Sequence, residues 1–121
     1  MSLNDWSGAF LLTQLIEVPI YLRAARSLPM LKRAAYALGA STITHPVIWL
    51  CLPWDFMPYA TMLIAAESFA IGAESLWGCW WRVPRPWLTA LVANAASLMA
   101  GMFIRWIWLL PRSLHAIWQE L

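Results

Sequence analysis

At 121 residues, 62% hydrophobic and only 12% charged, with a mean hydropathy of +0.62, the chain is too apolar for a soluble domain, which carries about twice that charged fraction. A net charge of +2 is too small to signal a nucleic-acid partner, and two cysteines, Cys51 and Cys79, support neither a disulfide framework nor a thiolate metal site. These numbers point to an all-α integral membrane protein.

The residues before the first apolar run, Met1 to Asp5, hold no lysine or arginine, and no small-residue cleavage site follows. The run is therefore expected to stay as a span. Four apolar segments stand out, about 6–22, 34–54, 59–81 and 87–110, each near the ~20 residues that cross a bilayer. Short, proline-marked connections predict four transmembrane helices arranged as two antiparallel hairpins in a single membrane domain, 1–121. Beyond Pro111 the apolar residues Leu114, Ile117, Trp118 and Leu121 recur at helical spacing, which predicts a short C-terminal interfacial helix over 111–121.

Arg23, Arg26, Lys32 and Arg33 fall in the first connection and Arg82 and Arg85 in the third, while the second carries Asp55 and the N-terminus Asp5. The positive-inside rule then predicts a bacterial-type inner membrane, with 23–33 and 82–86 cytoplasmic and both termini outside. Arg105 and Arg112 run against this orientation. Nine of the ten tryptophans suit two headgroup belts, Trp6, Trp49, Trp54, Trp106 and Trp108 on the outer side and Trp77, Trp80, Trp81 and Trp87 on the inner.

Each predicted span carries a polar stripe. In the first, Ser7, Gln14, Glu17 and Tyr21 follow one another at helical spacing, and Pro19 removes a backbone bond beside the acid. The second holds Ser41, Thr42, Thr44 and His45 before Pro46. In the third, Glu67 and Glu74 are seven residues apart and so share a face, beside a stripe of small residues, Ser68, Gly72, Ser75 and Cys79, suited to close helix contact. The fourth carries Asn94, Ser97 and Arg105.

At the helical rise, Glu67, Glu17 and Glu74 lie on the order of 12, 16 and 22 Å from the predicted outer boundary, so the polar residues of all four segments share one layer. This pairs Glu74 with Asn94, Glu17 with Thr42 or Ser97, and Glu67 with His45 or Arg105. A glutamate in each odd segment followed about 27 residues later by a polar cluster in the next, Glu17 then Thr42 to His45 and Glu67 then Asn94, also suggests a parallel repeat. An ionisable residue at bilayer depth is costly and is by default a functional candidate. The candidate ion, proton or substrate site is Glu17, His45, Glu67, Glu74 and Asn94, supported by Gln14, Thr42, Ser97 and Arg105.

Two functions fit: proton- or cation-linked transport at this layer, or a non-catalytic subunit of a larger membrane complex in which the layer joins helices. No HExxH, GxSxG, paired CxxC or glycine-rich phosphate loop supports an enzyme. No cofactor is expected, although carboxylates and imidazole are metal-ligand types and the tryptophans suit a bound lipid or pigment. Membrane lipids are the expected surroundings, a second copy or partner membrane subunits the expected protein contacts, and no nucleic acid.

Three acids facing one arginine and one histidine cannot all ionise cheaply. At least one of Glu17, Glu67 and Glu74 is expected to be protonated at neutral pH, with Glu74, remote from any cation, the first choice and Glu67 the ionised one. Infrared spectra of the purified chain should contain a protonated-carboxyl band at that pH, and its absence would remove the buried cluster.

Overall fold

Four helices account for nearly all of the chain in the computed structural model: α1 (Leu3–Ala24), α2 (Met30–Cys51), α3 (Tyr59–Trp80) and α4 (Pro86–Glu120). The structure describes residues 3–53 and 56–120, with side chains described over 7–53 and 56–107. Each helix packs on the next and α4 returns to α1, while among the described residues neither diagonal pair brings its backbones together. The helices thus form a four-membered ring whose centre is filled by side chains alone.

The expectation of four transmembrane helices is overturned. Among the described residues one stretch, Pro86–Ile107, is long and apolar enough to cross a membrane, with a mean hydropathy of 1.6, and most of it faces outward. α1, α2 and α3 have the length, 22 residues each, but not the composition. Their central turns carry Gln14, Glu17, Ser41, Thr44, His45, Glu67 and Glu74. Much of their apolar count is alanine, tryptophan and tyrosine, which contribute far less to transfer into hydrocarbon than leucine, isoleucine, valine or phenylalanine. The multi-pass topology fails with the span count.

The separate interfacial helix is also corrected, because α4 runs unbroken through Pro111 to Glu120. A proline inside a helix deletes one backbone bond without having to end it, and α1 and α2 likewise continue through Pro19 and Pro46. The side chains of Leu114, Ile117, Trp118, Arg112 and His115 lie outside the described residues, as do those of Trp6, Trp54, Asp55 and Trp108.

The tightest packing is at the end of the ring that holds the α1–α2 and α3–α4 turns. Tyr21, Ala25, Tyr36, Ala37, Ala40, Val83 and Ala93 form its buried cluster, bringing the two turns together. Arg33 donates from Nε to the carbonyl of Leu22 at 2.5 Å, satisfying one of the free carbonyls at the end of α1. Trp77 is no headgroup anchor: its indole N–H donates to the Tyr36 carbonyl at 3.1 Å, and its ring occupies the space left by Gly39. Trp80, by contrast, is 82% exposed.

The predicted small-residue stripe of α3 is displaced. Gly72 meets nothing within 4 Å and Cys79 is exposed, whereas Met62, Ala66, Ala70, Glu74 and Gly78, spaced by four, are the buried face. At Gly78, α3 lies directly against Pro86 at the start of α4.

After Gly78 the chain turns through a Schellman-type ending. The amide of Val83 donates to the Gly78 carbonyl at 2.9 Å and that of Arg82 to Cys79 at 3.0 Å, with Arg82 in the left-handed region at φ 55°. An L-residue there costs roughly 1 kcal/mol relative to glycine. Arg85 repeats the conformation at φ 50°.

Two substitutions should move stability in opposite directions. A Cβ at Gly78 would stand 2.6 Å from the Cβ of Pro86. Overpacking of roughly 1–3 kcal/mol outweighs the ~1 kcal/mol gain in helix propensity, so Gly78→Ala should lower the thermal midpoint. Arg82→Gly should raise stability by about 0.5–1 kcal/mol. Thermal unfolding followed by circular dichroism reads both, and a Gly78→Ala midpoint at or above that of the unaltered chain would contradict the close approach.

Candidate functional site

Below the centre of the ring, one carboxylate gathers all four helices. Glu74 on α3 accepts at Oε2 from the hydroxyl of Tyr21 on α1 and from Nδ2 of Asn94 on α4, the latter at 2.5 Å. Its Oε1 accepts from Thr44 on α2 at 2.9 Å. Asn94 spends its second N–H on the Ala90 carbonyl at 2.9 Å, so both of its donors are used. Glu74 is 2% exposed.

Glu17 on α1 is equally buried and is held by two hydroxyls, Ser41 on α2 at 2.5 Å and Ser97 on α4 at 2.6 Å. The bonds form a paired pattern. Each odd helix supplies one acid, and each even helix supplies two donors three residues apart, Ser41 and Thr44 on α2, Asn94 and Ser97 on α4. Glu17 takes the first donor of α2 and the second of α4; Glu74 takes the second of α2 and the first of α4. The counterpart of Glu17 is therefore Glu74, not Glu67 as the sequence repeat suggests.

A cavity of about 200 Å³ reaches both acids from the end of the bundle where α1 begins and α2 ends. Glu17, Glu74, Thr44, Asn94 and Ser97 line its inner part; Glu67 and His45 also face it, and Trp49 and Tyr59 lie towards its opening. Neither lysine nor arginine lines it. On the far side of the acids sits the buried pair Tyr21 and Tyr36, ring against ring at 5.5 Å in an edge-to-face arrangement. Neither of these tyrosines lines the cavity.

Burial is the main influence on every acid in it. It pushes Glu17 and Glu67 up to about 7, with the charge of Glu74 adding to both. Glu74 is also raised by burial, against the lowering effect of its bonds from Tyr21, Asn94 and Thr44. At Glu17 both neighbours are hydroxyls, which can reverse direction and accept from a protonated carboxyl. At Glu74 the amide of Asn94 can only donate to Oε2, which favours the ionised form there. Burial lowers His45, keeping it neutral.

The remaining predicted residues lie apart from this cluster. Gln14 donates to Thr42 at 3.2 Å on the α1–α2 seam, and Thr42 donates to the Leu38 carbonyl at 2.6 Å, so neither serves Glu17. Arg105 lies over the ring of Tyr59, 5.0 Å from its centroid, which leaves Glu67 without the cation expected beside it. His45 packs edge-on against Phe10 at 5.4 Å, with a buried, unpartnered Nδ1. Tyr21, Ser41 and Thr44 complete the site although they were outside the candidate set. Their signal was present: Tyr21 is one turn from Glu17, and Ser41 and Thr44 share a face.

Among the described residues no three histidine, cysteine, aspartate or glutamate side chains converge closely enough to hold a metal ion. No protein-family model, curated protein or solved structure matches the chain.

A raised carboxyl means that the folded chain holds its proton more tightly than the unfolded one, so stability is greatest in acid and falls as pH rises from about 4.5 towards 7. This is the reverse of ordinary acid denaturation. Glu17→Gln keeps a side chain that both serines can bond and should flatten that part of the curve, measured as denaturant midpoint against pH. A curve with unchanged slope would remove Glu17 as a titrating group.

Proposed function

We propose that the chain is a membrane-associated helical bundle that binds a small monovalent cation in its acid-lined cavity in exchange for a proton, the binding step of proton- or cation-linked transport. The observation that carries this reading is the cavity itself: three carboxyls face it and no lysine or arginine does. Glu17, flanked by hydroxyls that can turn either way, is the proton carrier. Glu74, fixed by donors from the other three helices, is the standing negative charge that attracts the cation. Glu67 and His45 line the approach, and the apolar, outward-facing Pro86–Ile107 stretch of α4 supplies the membrane contact.

A second reading, an accessory subunit of a membrane complex, draws on the exposed apolar side chains, among them Leu31, Leu50 and Phe56. In that case the acids join helices and exchange nothing.

Proton release from weakly buffered protein separates the two. Adding sodium, potassium or methylammonium near pH 7 should release protons saturably in the unaltered chain, and Glu17→Gln should abolish the release while the helical content is kept. In liposomes the same cation should drive proton counterflow. A folded, unaltered chain that releases no proton to any of the three cations would leave the subunit reading.

A further inference from the structure

Six of the eight basic residues come to one end of the ring. Arg23, Arg26, Lys32 and Arg33 flank the α1–α2 turn, and Arg82 and Arg85 lie in the α3–α4 turn. Ala25 and Val83 in one buried cluster hold these two turns side by side. All but Arg33 are exposed, and the described acids, Glu17, Glu67 and Glu74, lie along the cavity instead. The end is thus a concentrated positive face without internal neutralisation among the described residues.

We infer that this face binds the headgroups of an anionic phospholipid surface. Three further observations agree. Met30, Leu31, Trp80 and Trp87 stand exposed among the cations. Such apolar and indole side chains belong at the headgroup boundary, whereas a nucleic-acid backbone offers nothing to Met30 and Leu31. A groove of about 240 Å³ between α1 and α4, lined by Ile20, Ala24, Leu88 and Val92 with Arg23 and Thr89 as its polar members, has the make-up to take an acyl chain beside a phosphate. Finally, Arg82 and Arg85 both occupy left-handed backbone positions where glycine is easier, so the chain carries cations there at a cost to its own stability. The inference is independent of the cavity.

The test uses the full chain in neutral detergent, offered equal amounts of phosphatidylglycerol and phosphatidylcholine, with retained lipid counted by native mass spectrometry. Phosphatidylglycerol should be retained preferentially, less so at high salt. Arg82→Asn with Arg85→Asn, which keeps a residue tolerant of the left-handed region, should cut the preference on the order of thirtyfold. Arg26→Gln with Lys32→Gln should cut it similarly, and stands in if the first pair does not fold. Cation-induced proton release at the cavity should be unchanged in both, separating this face from the cavity reading. Equal retention of the two lipids by the unaltered chain, an undiminished preference in either folded pair, or displacement of the lipid by a DNA duplex would each overturn the inference.

Discussion

The fold depends on the carboxylate of Glu74. Among the described residues it is the one group in which side chains from all four helices meet, and it reaches Tyr21 across a diagonal that the backbones themselves do not close. Burying a carboxyl group is costly unless donors replace the lost water, and at Glu74 burial raises the pKa while its hydrogen bonds work against that rise. Three donors do so here. Because each comes from a different helix, the condition that keeps the buried group satisfied also fixes the rotation of α1, α2 and α4 about their axes.

Glu17 imposes the same condition one layer away with only two hydroxyls, and the difference separates the chemistry of the two acids. Hydroxyls can donate or accept, so the Glu17 site remains satisfied with or without a proton. The amide at Glu74 has one direction only. Two carboxyls in similar burial thus differ in the kind of atom facing them rather than in distance from solvent.

Much of this was legible from residue types and spacing. The depth count along the chain puts Asn94 opposite Glu74 and either Thr42 or Ser97 opposite Glu17; the structure joins Asn94 to Glu74 and, of the two alternatives, Ser97 to Glu17. Rotational phase was harder, since Ser41 and Thr42 differ by one position and only the former faces the core; an error of about 100° in phase moves a side chain from core to seam. Arg105 was misplaced because electrostatic reasoning matched it to an acid, whereas the nearby Tyr59 ring offers a contact that needs no buried charge. The span count failed for a different reason: an apolar fraction counts alanine, tryptophan and tyrosine as equal to leucine. Among the described residues, only the stretch from Pro86 to Ile107 remains long and apolar enough once hydropathy is weighed instead.

The crossed pattern of bonds at the two acids bears on how the chain assembles. The hairpin α1–α2 can offer Glu17 only Ser41, and the hairpin α3–α4 can offer Glu74 only Asn94; the remaining donors, Ser97, Thr44 and Tyr21, come from the other half. Neither hairpin alone can shelter its acid, so each half is incomplete until it meets the other. Cooperativity is therefore written into the polar centre of the bundle, and the two halves form a single folding unit despite their similar design.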